Sequence, residues 1–264
     1  SSGWSGGDSA RRKQKTIDLK KIKAEVGYSA SDYFQQVYEL ITGRADVNLD
    51  DLTGTELEAA ETEMFRAAIA ESLRLMMWVG DTNDDIYNRF DGFLTLAYNR
   101  YAQGAVSAVD FTDITLNADT VVTVLDRLWS EASPQLKALK AEGNLAYFVT
   151  TDIYELYERY LDKFGADGAY TDLVSGRREL SYHGIKIVDM GVSQYMPLHV
   201  TGSSSHCMLT DRRNLVLAVN TADYPGSEVR MWYNPDQMEN RQRAIFMVGC
   251  EIMDEELVQI ASFV

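Results

Sequence analysis

Two stretches of the sequence alternate carboxylate and amide side chains, as loops that bind calcium do. They are residues 81–85 (DTNDD) and residues 46–50 (DVNLD). A calcium loop of this kind also needs a glycine at its sixth position and a bidentate glutamate at its twelfth. The first stretch has Ile86 and Gly92 at these positions, and the second departs from the pattern at the same two places. The sequence therefore predicts no metal site at either stretch.

A second set of side chains could be imagined as zinc ligands, namely His199, His206 and Cys207. Adjacent residues of a strand point to opposite faces, so His206 and Cys207 are badly placed to share one metal ion. We interpret His199 as a loop residue and Cys207 as a buried thiol. The only other cysteine, Cys250, also lies among strand-like residues, so two reduced, inert thiols are expected.

Carboxylates that might work as an acid and a base occur together at residues 254–256 (DEE). Such a run is far more often a solvated acidic turn. The sequence contains no glycine-rich phosphate loop and no HExxH, CxxC or GxSxG motif. We therefore predict that the protein is not an enzyme and that it uses no cofactor.

The strongest charge pattern lies near the start of the chain, where seven bases accompany a single acid, Asp18. The bases are Arg11, Arg12, Lys13, Lys15, Lys20, Lys21 and Lys23. Residues 1–25 hold seven bases and three acids, a net charge of +4, so the remaining 239 residues carry −19. An acidic body does not favour gripping a phosphate backbone, and the basic run lacks the interleaved aromatic residues of a nucleic-acid site. The basic arm is expected to meet the acidic body electrostatically, within the chain or between copies.

The element that must organise the rest is a helix of 24 residues over 56–79. Helix-forming residues dominate it, neither proline nor glycine interrupts it, and Gly80 provides a stop. Its apolar residues form two adjoining rows, so we expect the helix to lie along a core and to become fully buried at its end. The rows are Leu57, Ala60, Met64, Ala68 and Leu75 beside Phe65, Ile69, Leu73 and Met76. Beyond it, Asp91 and Gly92 predict a tight turn with Gly92 at positive φ.

Other segments predict a chain that is helical early, mixed in its middle and rich in strands late. We expect an exposed strand at 14–26, a short helix at 32–42, a helix at 116–130, and a buried strand at 144–151 that leads directly into a helix at 152–164. From residue 184 onward the pattern is of strands, with a polar turn at 234–242. Trp78, Trp129 and Trp232 are expected in the core. The predicted fold class is α+β.

Composition is that of an ordinary water-soluble chain. It is 264 residues long, 45% hydrophobic and 25% charged, which permits one large domain or two. No apolar run reaches the length of a membrane span.

Several segments, taken in order, resemble a known family. They are WVGD at 78–81, FDGF at 90–93, the strand pair that includes 211–219, and the hairpin at 232–256. Their order and spacing over nearly the whole chain resemble the major capsid proteins of tailed bacteriophages, which have the Hong Kong phage fold. The resemblance is greatest to versions from phages and prophages of Bacteroidetes-type hosts.

The resemblance implies a division of the chain. Residues 1–26 would be the extended loop that reaches over a neighbouring subunit, with the strand at 14–26 forming part of it. Residues 27–104 would be the first part of the peripheral domain, with its spine helix at 55–79. Residues 105–221 would be the axial domain, and 222–264 the second part of the peripheral domain with its long antiparallel strands. Family members usually begin with an N-terminal arm, so an arm or propeptide removed by a protease is one expectation for a chain that begins inside the loop.

The resemblance also implies a function and partners. The chain would assemble into pentamers and hexamers of an icosahedral capsid in the virion, formed in the bacterial cytoplasm and enclosing double-stranded DNA without sequence-specific binding. Portal, scaffolding and decoration proteins would be further partners, and no membrane would be involved. The expected contacts between subunits join the arm to the acidic start of the long helix. They are Trp4, Arg11, Arg12, Lys13, Lys15, Lys20, Lys21 and Lys23 with Glu56, Glu58, Glu61 and Glu63.

Two other functions stay open at this stage. An encapsulin-type bacterial compartment has the same fold but contains cargo proteins instead of a genome. An acidic α+β hydrolase that works through carboxylates belongs to a different class altogether.

Overall fold

The longest helix, α1 (Glu56–Val79), has the predicted bounds and runs from an exposed first half into the buried centre of the fold. The computed structural model describes residues 15–29, 53–54, 56–163, 179–193, 204–220 and 229–263. The last turns of α1 are buried as expected, with Leu75, Trp78 and Val79 all at 5% exposure or less. None of the helices in these ranges combines the length and the hydrophobicity needed to cross a membrane.

Before its buried last turns, only one of the two predicted apolar rows of α1 packs against other described residues. Phe65, Ile69 and Leu73 lie against a sheet, where they line an open groove of about 180 Å³. In the other row Leu75 is buried as predicted, but the prediction is wrong for Ala60 and Ala68, which are exposed, and for Met64, which is 66% exposed. Within the described ranges, the first half of the helix contacts a single layer and leaves its other side exposed.

The sheet beneath α1 is built around one strand, β9 (Glu239–Ile252), which has neighbours on both edges. The strand β1 (Lys20–Ser29) pairs antiparallel along one edge, from Lys20 opposite Val248 to Ser29 opposite Glu239. On the other edge β8 (Arg230–Asn234) and β7 (Leu215–Asn220) pair antiparallel with successive parts of β9. Even-numbered residues of β9 face α1, and the amide of Gln242 donates to the Thr62 hydroxyl at 3.2 Å.

A second sheet of six strands lies between two helical layers. Its order is β2 (Ser107–Asp110), β10 (Val258–Ser262), β6 (Cys207–Asp211), β3 (Leu145–Val149), β5 (Ile185–Asp189) and β4 (Ser181–Tyr182). Every residue of β3 is buried, because alternate side chains serve different layers. Tyr147 packs in the cluster formed with the helices α3 (Val121–Ser130), α4 (Pro134–Ala138) and α5 (Thr151–Lys163). Phe148 packs on the opposite face with the end of α1 and with α2 (Phe93–Ala102).

Sequence patterns located most elements but misjudged several bounds. The strand predicted at 14–26 spans Lys20–Ser29, because its pairing with β9 continues through Gly27. The polar turn predicted at 234–242 is only 235–238, and β9 already begins at Glu239. The helix predicted at 116–130 begins at Val121, and the one predicted at 152–164 is described over Thr151–Lys163, with residue 164 outside the described residues. The elements α2, β2 and β10 were missed, and the helix predicted at 32–42 lies outside the described residues.

The sheets divide the chain differently from the expected boundary between 221 and 222. The strand β7, placed with residues 105–221, belongs to the four-stranded sheet, whereas β10, placed with residues 222–264, belongs to the six-stranded one. In the six-stranded sheet β10 pairs parallel with β2 and antiparallel with β6. These are long-range partners that a local hydrophobic pattern does not reveal.

Candidate functional site

The side chains suspected of metal binding are used to build loops. Oδ1 of Asp81 accepts hydrogen bonds from the backbone and side-chain amides of Asn83, at 2.8 and 3.0 Å. In the part of the chain that the structure describes, no three His, Cys, Asp or Glu side chains are grouped to hold a metal ion. Residues 46–50 and His199 lie outside that part.

Both cysteines and the neighbouring histidine are structural. The hydroxyl of Tyr98 lies 2.6 Å from Nδ1 of the buried His206. Burial raises the pKa of the Cys207 thiol far above its usual range. Burial, with smaller effects of the Glu251 and Asp91 charges, raises the pKa of Cys250 to about 12. Both thiols stay protonated and unreactive near neutral pH, and neither forms a disulfide.

The acidic run at 254–256 contributes to an ion-pair cluster instead of a catalytic pair. Glu255 is bonded to the ammonium of Lys15 and lies 3.5 Å from Nε of Arg100. Arg100, on α2, also pairs with Glu251 at the end of β9. Both cations donate to the Ile252 carbonyl, from Lys15 at 2.6 Å and from Arg100 at 3.1 Å. Four charges therefore fasten the segment before β1 to the point where β9 leaves its sheet.

Glu255 gives this cluster a pH dependence. Burial alone would favour the neutral carboxyl, but the hydrogen bond and charge of Lys15, with a smaller effect of Arg100, lower the pKa of Glu255 below its usual value. Because the folded pKa is the lower one, the stabilisation is complete above the unfolded pKa and disappears as pH falls through the folded pKa.

We predict that Glu255→Gln lowers the melting temperature at pH 7 and that this difference from the wild type shrinks as pH falls below about 4. Thermal unfolding followed by circular dichroism at several pH values measures it. Glu179→Gln, which removes an exposed pair with Lys186, is the matched control and should change the melting temperature little. A wild-type melting temperature for Glu255→Gln at pH 7 would contradict the prediction.

Residues 80–92 form a closed loop at the buried end of α1. The amide of Gly92 donates to the Gly80 carbonyl at 2.7 Å, and the amide of Gly80 donates to the Met76 carbonyl at 3.0 Å. Asp91 closes the loop further by accepting at 2.8 Å from both the backbone amide and the hydroxyl of Thr82.

The positive φ expected at Gly92 is wrong, since its φ is −77° and it precedes the first turn of α2. Glycine is required there for space, because a Cβ would lie 2.6 Å from the Trp78 carbonyl carbon and 2.7 Å from the Met76 oxygen. A Cβ at Gly80 would likewise meet the carbonyl oxygens of Phe90 and Met76.

Gly92→Ala should therefore destabilise the protein by about 1–3 kcal/mol or more, as overpacking against backbone does. Gly27→Ala is the control, because the Cβ position of Gly27 meets only side-chain atoms of Glu239 and Arg241, at 3.3 Å or more. Chemical denaturation of both variants compares the two costs. If Gly92→Ala were as stable as the wild type, the close approach of the two backbones would not be a constraint.

The predicted arm residues fall into three groups. Trp4, Arg11, Arg12 and Lys13 lie outside the described residues. Lys15 contacts acids of its own chain, as described above. Lys20, Lys21 and Lys23 are exposed on β1.

The acids predicted to receive the arm lie on the first turns of α1. Glu58 accepts from the Gly54 amide at 2.5 Å, and Glu63 pairs with Arg66 at 2.9 Å. Glu61 is half-buried, and nothing is described for the Glu56 side chain.

Sequence patterns overlooked one surface, the face of the four-stranded sheet turned away from α1. Odd-numbered residues of β9 lie on it, including Arg241, Arg243, Ile245 and Met247. Trp232, expected in the core, is 37% exposed there, with the Arg243 guanidinium 5.6 Å from its ring centre. The sequence signal that could have revealed this face is the strict alternation of its residues with the buried, even-numbered residues of β9.

Comparison with known proteins identifies the fold. No protein-family model matches the chain, and no curated protein does either. Solved shell structures match over nearly its whole length. The capsid of an empty GTA particle is 17% identical, with 100% of this chain and 81% of that chain covered and a TM-score of 0.56.

Two further structures give the same result. The procapsid of satellite phage P4 is 11% identical, with 99% and 77% of the two chains covered and a TM-score of 0.54. The encapsulin complex from Synechococcus elongatus is 12% identical, with 93% and 74% covered and a TM-score of 0.52. At these identities the likeness shows the fold alone. The chain has the α+β fold of capsid and encapsulin shell proteins, and those neighbours are structural proteins rather than enzymes.

Proposed function

We propose that the protein is a major capsid protein that assembles into pentamers and hexamers of an icosahedral bacteriophage shell around double-stranded DNA. The observation that supports it best is the match of nearly the entire chain to solved capsid proteins. The inert thiols and the loop-building carboxylates fit a protein whose work is contact and not chemistry. The shell would be part of the virion and would be assembled in the bacterial cytoplasm.

The net charge suits this role. A chain carrying −15 can enclose DNA without binding it tightly, because like charges repel at the inner wall. Shells of this kind need contacts between different surfaces of identical subunits, since such heterologous contacts generate closed rings.

A bacterial compartment of the encapsulin type is the second candidate. It is supported by the Synechococcus elongatus structure, whose TM-score is close to those of the capsids. The same fold serves both functions, so the contents of the particle distinguish them. A hydrolase is disfavoured, because the one carboxylate run suspected of acid–base chemistry is occupied by Lys15 and Arg100.

The proposal is tested by size-exclusion chromatography and negative-stain microscopy of the full chain, which should show particles of megadalton size. Particles from the natural source should protect double-stranded DNA from nuclease if the shell is a capsid. An enclosed protein in place of DNA would identify a compartment. A monomer at all protein and salt concentrations would contradict both.

We also propose that residues 11–13 and Trp4 reach a neighbouring subunit, where the basic side chains meet Glu56, Glu58, Glu61 and Glu63. The ion pair with Glu255 holds Lys15 in place, so the bases at residues 11–13 precede a fixed point on the subunit. Each exposed pair contributes only about 0–1 kcal/mol, but every subunit of a shell repeats it.

Replacing Arg11, Arg12 and Lys13 together by Glu should reduce particle formation while leaving the circular dichroism spectrum of the subunit unchanged. Assembly of the wild type should also weaken as salt screens the pairs. Light scattering at a series of salt concentrations measures both. Equal assembly of variant and wild type at every salt concentration would exclude an electrostatic role for this segment.

A further inference from the structure

The face of the four-stranded sheet turned away from α1 carries bases around an apolar centre among the residues that the structure describes. On this outer sheet face Lys21 lies opposite Met247, and Lys23 lies opposite Ile245. Ile245 and Met247 are only half-buried, and Lys23 is exposed. Arg241 and Arg243 continue the basic row along β9. In a chain with a net charge of −15, this combination is a local exception.

The acids on this face, Glu25 and Glu239, form ion pairs with its bases that are partly exposed to solvent. Glu25 lies 2.7 Å from Lys23 and 4.0 Å from Arg243, and all three side chains are about half exposed. Exposed pairs of this kind are weak and exchange partners readily. The stacking of Arg243 on Trp232 keeps one guanidinium close to the sheet surface. A nucleic acid would lay successive phosphates along the whole face, against Glu25 and Glu239, whereas two carboxylates can meet Lys21 and Lys23 alone.

The surface that complements the outer sheet face is the closed loop at the end of α1. Residues 81–91, the acidic loop, contain four aspartates and one arginine. Its Asp85 and Ile86 project into solvent, with Ile86 55% exposed. The backbone bond between Gly80 and Gly92 and the bonds of Asp91 to Thr82 shape the loop before any partner arrives. A preformed loop loses little conformational entropy on binding.

We propose that the acidic loop of one copy docks on the outer sheet face of a second copy. Ile86 would lie against Ile245 and Met247, while Asp84 and Asp85 would approach Lys21 and Lys23. The two surfaces of the same chain match in both charge and apolar position. Because the surfaces differ, the contact is heterologous and propagates from subunit to subunit. The inference rests on the proposed shell function and names a partner surface within it.

A charge exchange tests the contact. The loop variant is Asp84→Lys with Asp85→Lys, and the sheet variant is Lys21→Glu with Lys23→Glu. Each places like charges together and should lower the assembled fraction about tenfold or more. The combined variant has the wild-type net charge and restores opposite charges at the contact, so it should recover most of the assembly. Asp113→Lys with Glu155→Lys, two exposed acids elsewhere, is the control for the loop variant and should assemble like the wild type.

Each outcome decides the question. If wild type and all variants assemble equally, or if the combined variant is as defective as the single ones while circular dichroism shows all of them folded, the contact is wrong. If wild type itself forms no particles, the shell function fails instead. The alternative, that this face binds nucleic acid, is tested with a fluorescent single-stranded oligonucleotide whose anisotropy rises when it binds the protein. The proposal would be overturned if the sheet variant and the combined variant lost oligonucleotide binding, the loop variant kept it, and particle formation were unchanged. That result would assign this face to nucleic acid.

Discussion

The structure depends on β9, a strand of 14 residues whose backbone is bonded along both edges. A strand this long satisfies its amides and carbonyls only if neighbours extend along it, which β1, β7 and β8 do. Its alternation places one set of side chains under α1 and leaves the other set for solvent or partners. The ion pairs of Lys15 and Arg100 close its end, where the chain passes on to β10 in the second sheet. One strand thus links both sheets, the long helix and the segment before β1.

The end of α1 is the second point of convergence. Trp78 packs between Phe93 of α2 and Phe148 of the six-stranded sheet, with ring centres 5.5 and 5.1 Å away. This packing brings the start of α2 so close to α1 that only glycine fits at positions 80 and 92. The loop between them is therefore determined by helix packing, and its acidic tip has a defined place on the surface.

These features explain why a protein with many carboxylates and two thiols shows no reactive centre in its described residues. Its carboxylates accept loop hydrogen bonds or pair with bases, and desolvation keeps its thiols protonated. What remains unusual is the surface: a helix with an exposed apolar methionine, a basic sheet face and an acidic loop. A fold of shell proteins together with such surfaces favours function through contact between copies.

The sequence by itself determined the long helix to the residue, most strands, the α+β class and the absence of known catalytic motifs, because propensity and hydrophobic period are local properties. It also supported the resemblance to capsid proteins, whose fold the structural neighbours share. Tertiary structure alone decided that Met64 of α1 is exposed, that Trp232 is exposed, and that Lys15 finds its acids within its own chain. It also placed β7 in the four-stranded sheet and β10 in the six-stranded sheet, which the division of the chain by sequence did not anticipate. These outcomes depend on contacts between residues far apart in the chain, about which a local pattern contains no information.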